Sequence, residues 1–243
     1  MPEQLPFTAF LNRLFAGPAT RLLEAMHIHP AYPQAPITNP VAMQILVVLL
    51  LGLAFAAIRM RLSVDRPGGL QHVAEGINGF FSGLGEELIG HEYRRFVPYI
   101  SALGIFILSC NLIGLVPAFE SPTATPAVPL GCAVATFLYY HYNGIKANGA
   151  GYIKQFTGPL LGMAVIMLPI EIVSHFARVL SLTVRLFANM YAGEMITLAF
   201  FSMAPLVIPV VFMGLHIGVA LIQTYIFVLL TCVYLGGAIA HEH

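Results

Sequence analysis

Charge is what this chain has least of. Asp, Glu, Lys and Arg make up 9% of its 243 residues, against about 25% in an ordinary soluble domain. Such a chain cannot clothe a globular surface in water. With 58% hydrophobic residues and a mean hydropathy of +0.82, its main solvent is lipid. Acidic and basic residues cancel, 11 against 11, so there is no electrostatic footprint for nucleic acid. Tryptophan is absent, which leaves any interfacial aromatic belt to Tyr and Phe. The three cysteines, Cys110, Cys132 and Cys232, sit inside apolar runs. They form neither a spaced ligand set nor a disulfide framework and read as small packing residues. Catalytic signatures are also missing. There is no P-loop and no nucleophile motif, and the nearest approach to H-E-x-x-H is "HEYRR" from His91, without the second histidine. His27 and His29 in a Pro-rich loop are too few for a metal site. No cofactor or metal is expected. The N-terminus, with Glu3 and no basic region or long apolar core, does not read as a signal peptide.

What is present is a series of apolar segments. Residues 1–39 form an N-terminal segment, with a short amphipathic helix from Phe7 to Met26 expected to break at Gly17–Pro18. A first span covers 40–58. Residues 67–95 place Leu70, Val73, Ile77, Phe80, Phe81, Leu84 and Leu88 at helical spacing. This predicts an amphipathic helix along the membrane surface. Two further spans cover 96–116 and 127–145. The connection after span one carries Arg59, Arg61, Arg66, Arg94 and Arg95, that after span two carries no Lys or Arg, and that after span three carries Lys146 and Lys154. Basic loops stay cytoplasmic, so the N-terminus is placed outside.

The last two segments, 158–203 and 209–240, are too long to stand upright. A helix over the first is about 65 Å long at 1.5 Å per residue, against a hydrocarbon core of about 30 Å. The expected fold is therefore an all-α membrane protein of about five to six hydrophobic helices. It includes a long, strongly tilted C-terminal hairpin, with Pro169 and Gly193 as possible kink points.

The polar residues of the hairpin follow a pattern. Glu171, Arg178 and Arg185 recur every seven residues, hence on one face, with Ser174, Ser181 and Asn189 on or near it. Glu194 falls on the opposite face. In the second arm, His216 and Gln223 are seven apart. Antiparallel matching by depth sets His216 beside Glu194 and Gln223 beside Arg185. The outcome is two offset polar half-paths separated by a permanent cation, since a guanidinium keeps its proton while Glu and His exchange theirs. Simpler explanations exist for most of these residues. Glu171 and Arg178 can be interfacial, Ser174 and Ser181 can bond back to their own helix, and Asn189 can be interhelical glue. His216 can be a packing histidine and Glu194 a helix-end acid. Arg185 resists such an explanation. A central Arg costs about 2.5 kcal/mol or more to insert, and intramembrane charges mark ion paths by default.

The strings "LTVRLFANMYAGEMI" from Leu182, "HIGVALIQTYIFVLLTCVYLGGAIAHEH" from His216, "CNLIGLVP" from Cys110 and "PIEIVS" from Pro169 together resemble subunit a of the F-type ATP synthase, over about Phe7 to His243. The resemblance implies the stator half of a rotary proton channel, working against a ring of c subunits in the company of stator b subunits, the remaining synthase subunits and membrane lipid. It implies that Arg185 attracts the ionised ring carboxylate and bars leakage. Glu194 and His216 then serve the outer half-channel, and Glu171 and Ser174 the inner one. Asn189 and Gln223 are polar neighbours of the arginine, and Asn111 lines the channel. The chain would be non-catalytic, with ATP chemistry in other subunits, and would reside in a bacterial inner membrane, or alternatively an organelle membrane. Proton is the expected coupling ion, with sodium the alternative. Two departures stand out. "TATPAVPLGCA" after Pro122 lacks the Asn and Asp of many members, which leaves a polar role at the mouth of the third span an open question. His175 stands where many members are apolar, and is expected to tune the inner path's pH response. A secondary transporter would need midplane sites and repeated halves, and no repeat is present. A bare membrane scaffold would leave Arg185 unexplained.

Overall fold

A computed structural model describes residues 4–27, 32–63, 68–116, 119–152, 164–203 and 207–240. The expected segment starts at 158–163, as well as Lys154, His29 and Arg66, lie outside these residues. Among the described residues there are seven α-helices and no strand. They are α1 (Pro6–Ala25), α2 (Asn39–Met60), α3 (Gly69–Ile89), α4 (Val97–Ile113), α5 (Ala127–Asn148), α6 (Ala164–Met203) and α7 (Val207–Ile239). The chain is an all-α membrane protein. α2 and most of α6 and α7 are long and apolar enough to cross a bilayer, and α4 is a shorter apolar helix.

α1 does not break at Gly17–Pro18 as its sequence predicts. The helix runs through Pro18, at the loss of one backbone hydrogen bond. The Thr20 hydroxyl lies 2.8 Å from the Ala16 carbonyl and 3.0 Å from that of Pro33, which ties the turn after the proline to the extended segment. The Asn12 side chain pairs with both backbone groups of Ile37 at 3.0 Å, and so docks α1 beside the start of α2. α6 likewise passes through Pro169 and Gly193 as one helix of 40 residues, about 60 Å long.

Contacts between elements define two ends. At one, Arg95 donates to the Asn143 side chain (2.9 Å) and Asn148 to the Ala238 carbonyl (3.0 Å). At the other, the Asn39 amide lies 3.4 Å from the Glu120 carboxylate, and the Ser121 N–H donates to Glu194 (2.8 Å). α4 and α6 thus run from the basic end to the acidic end, and α5 and α7 return. α3 packs lengthwise on α4 and α7, with Phe81 and Leu84 buried and Leu70, Val73 and Phe80 outward.

Two large apolar clusters and a smaller one of Val47, Cys110 and Ile113 fill the interior. Phe96, Ile100, Val228, Cys232 and Leu235 pack toward the basic end. Ile107, Ala133, Leu186, Met190 and Phe227 pack further along. Lipid tails are as apolar as these side chains, so close van der Waals fit holds the bundle together more than escape from water does. α6 buries little beyond the strip Leu182, Thr183, Leu186 and Met190. Its remaining faces lie open, with Phe176, Leu180 and Val184 among the exposed apolar side chains.

Candidate functional site

The acidic end carries a dense polar cluster. Glu194 on α6 accepts the Ser121 backbone N–H at 2.8 Å. A Cβ on Gly114 would lie 3.0 Å from Glu194 Oε1, so the glycine at the end of α4 makes room for the carboxylate. His216 on α7 is buried, near the backbone of Asn111. Its Nδ1 lies 2.8 Å from where a Cβ on Gly193 would stand, so the residue preceding Glu194 must be glycine for the ring to fit. Depth matching along the hairpin therefore pairs the right turns of α6 and α7.

The loop between α4 and α5 supplies the rest of this cluster. The Ser121 hydroxyl lies 2.8 Å from the Cys110 carbonyl and 2.7 Å from the Thr123 hydroxyl, which reaches Asn111 Oδ1 at 2.6 Å. Asn111 is fully buried, and its Nδ2 lies 3.4 Å from the Thr224 hydroxyl. Ser121 and Thr123 own one hydroxyl proton each. Their three contacts therefore cannot all be hydrogen bonds at once, and rotation of either hydroxyl exchanges one for another. A stretch without Asn or Asp thus contributes polar groups after all. The signal available in the sequence was the S-x-T spacing just beyond the α4 asparagine.

Between the ends lies a sparse middle. Asn189 Nδ2 donates to Gln223 Oε1 at 2.9 Å. Gln223 is thus bonded to Asn189, one turn from Arg185, and not to the arginine itself. Arg185 is half-buried, and its guanidinium lies 3.4 Å from the Ser181 hydroxyl. Among the described residues no carboxylate of this chain forms an ion pair with it. Next to it, Ala177, Ser181, Ala188 and Ala192 are exposed, a small-residue strip that lets another helix approach closely.

The basic end of the hairpin holds a second cluster. Glu171 Oε2 lies 3.8 Å from His175 Nε2, and Tyr140 Oη lies 2.8 Å from His175 Nδ1. Tyr152 Oη lies 2.7 Å from His141 Nδ1. The Arg178 guanidinium stands 5.0 Å over the Tyr234 ring. Ser174 is half-buried on the same turns of α6. Tyr140, His141 and Tyr152 were not among the residues singled out in the sequence. Aromatic residues in an apolar helix look like packing until their hydroxyls are placed.

The eight predicted positions therefore fall into three groups. Glu194, His216 and Asn111 meet at the acidic end. Arg185, Asn189 and Gln223 occupy the middle. Glu171 and Ser174 stand at the basic end. A family model described as ATP synthase A chain matches residues 41–236. The chain is 59% identical to ATP synthase subunit a of Koribacter versatilis (strain Ellin345) over the whole of both proteins. It is 54% identical to ATP synthase subunit a of Solibacter usitatus (strain Ellin6076), over 87% of this chain and 91% of that one. To ATP synthase subunit a of Geotalea uraniireducens (strain Rf4) it is 42% identical, over 92% and 95%. A chain matched over most of its length by that model, and over all of it by such a relative, belongs to the ATP synthase A chain family.

Proposed function

We propose that this chain is the non-catalytic, proton-translocating stator subunit of a rotary ATP synthase in a bacterial inner membrane. The cluster around Glu194, His216 and Asn111 serves an outer half-channel. Glu171 and Ser174 serve an inner one that opens to the cytoplasm at the arginine-rich end. Each delivers protons to, or takes them from, carboxylates on a ring of c subunits turning against the exposed face of α6 and α7. Stator b subunits, the remaining synthase subunits and membrane lipid complete the surroundings. Proton flow through the half-channels is thereby coupled to ATP synthesis elsewhere in the complex.

The observation that carries this reading is the unpaired Arg185. A permanent cation in lipid needs a counter-charge, and among the described residues this chain offers none. A partner carboxylate passing along the small-residue strip meets that need. The cation in turn favours the ionised form of the partner and blocks a proton from passing straight between the clusters. Asn189 and Gln223, bonded to each other, hold the adjoining turns of α6 and α7 together without presenting a titratable group.

Side-specific labelling tests the two half-channels. The native cysteines are all buried, which keeps the background low. In oriented vesicles, Ser121→Cys reacts with a membrane-impermeant thiol reagent from the outer face alone, and Ser174→Cys from the cytoplasmic face alone. Reaction of either from both faces, or from the opposite face, would refute the division.

A further inference from the structure

His175 sits between two groups that exchange protons. Its Nδ1 lies 2.8 Å from the Tyr140 hydroxyl and its Nε2 3.8 Å from the Glu171 carboxylate. Both nitrogens of one imidazole thus face an oxygen, on two different helices. A small swing of the partly buried Glu171 side chain closes the 3.8 Å gap. Glu171 lies one turn nearer the basic end than His175, so a proton moving along α6 toward that cytoplasmic end meets the imidazole before the carboxylate.

Among the described residues, these titratable and charged groups face the ring. From α5 come Tyr140 and His141, whose ring centroid lies 4.8 Å from that of His175. Tyr152 holds His141. From α6 come Glu171 and Arg178, and from α7 comes Tyr234, which packs on Tyr140 at 5.9 Å. Arg178 acts on Tyr140, His141, Tyr152 and His175 alike. It fixes one positive charge beside the cluster while stacked on Tyr234.

We propose that His175 is a proton-relay residue of the inner half-channel, with Tyr140 as the hydroxyl that exchanges protons with it, passing them between the c-ring side and Glu171. The inference rests on the proposed half-channel function and adds a step to it. A proton arriving on the Tyr140 phenol oxygen displaces the phenol proton to Nδ1. The Nε2–H bond breaks, and its proton passes to Glu171 Oε2. The phenol, the imidazole and the net charge of the pair end as they began, with the ring in the other tautomer. A half-turn of the ring, or the reverse exchange, resets it. Every bond made is a nitrogen–hydrogen or oxygen–hydrogen bond, and nothing is oxidised or reduced.

The test uses the whole synthase in vesicles with an imposed proton gradient, and reads ATP synthesis against cytoplasmic-side pH. Wild type, His175→Ala, His175→Gln and Arg185→Ala are compared after assembly is verified. His175→Gln keeps a polar side chain of similar reach but relays no proton, so it remains informative should the alanine variant fail to assemble. Both histidine variants are expected to lose at least ~10-fold in rate, as for removal of a positioned acid–base group. Both should also lose the dependence of rate on cytoplasmic-side pH that an exchanging imidazole adds. Added imidazole should restore part of the His175→Ala rate by occupying the space vacated. An unchanged rate and pH profile would overturn the relay, as would a loss that imidazole leaves untouched. If Arg185→Ala is inactive while His175→Ala matches wild type, the relay fails and the half-channel reading stands. If Arg185→Ala matches wild type, both fall together.

Discussion

At the scale of single residues, several polar groups of the hairpin have a specific hydrogen-bond partner, while the buried His216 Nε2 has none among the described residues. Glu194 has the Ser121 amide, Asn189 has Gln223 and His175 has Tyr140. Arg185 reaches the Ser181 hydroxyl at 3.4 Å, and among the described residues no carboxylate forms an ion pair with it. The glycines beside these groups matter because of what they leave empty. Ala is a better helix former than Gly by roughly 0.5–1 kcal/mol, so Gly193→Ala strengthens α6 locally. Its new methyl would nevertheless stand against the His216 ring and force it away from Glu194. We expect Gly193→Ala to assemble normally and lose several-fold in ATP-driven proton uptake. Gly52→Ala on α2, where a Cβ meets nothing within 4 Å, should match wild type. Equal uptake in the two variants would remove His216 from the pathway.

At the scale of elements, legibility depended on whether a signal repeats along one helix or arises between helices. The apolar runs announce α2, α4, α6 and α7, because burial in lipid demands long uninterrupted stretches. The seven-residue spacing of Glu171, Arg178 and Arg185 shows within α6 alone. Counting back along the hairpin set His216 beside Glu194 and Gln223 beside Arg185; the imidazole lies against Gly193, one residue away, and Gln223 bonds Asn189, one turn away. The loop between α4 and α5 was not legible. Ser121 and Thr123 act through residues 11 to 73 positions away, and a short hydroxyl in a Pro-rich loop carries no periodic signal. The Tyr140–His175 and Tyr152–His141 pairs were hidden for the same reason. α1 failed in the opposite sense, since Pro18 looked like a break but costs the helix only one hydrogen bond. The loop's role is open to test. Thr123→Val keeps the shape and removes the donor to the buried Asn111, so proton uptake should fall with assembly intact. Thr231→Val, whose hydroxyl bonds back to the Phe227 carbonyl of its own helix, should pump normally. Matching rates in these two variants would make the loop hydroxyls a matter of packing.

At the scale of the whole molecule, the fold keeps two polar clusters apart. They lie at opposite ends of the bundle, and between them α6 carries Arg185, with Arg178 one face-repeat away beside the basic-end cluster. Because α6 is about 60 Å long, it can lie obliquely and present much of its length to a curved partner. Its exposed small residues beside Arg185 suit an interface that slides. The separation of the clusters by that charge is the central claim. Its most direct test is ATP-driven proton uptake in inverted vesicles carrying the assembled complex with Arg185→Ala, alongside wild type and Arg94→Ala at the exposed basic end. The account predicts that uptake is lost in Arg185→Ala and retained in Arg94→Ala. Normal uptake by an assembled Arg185→Ala complex would contradict it.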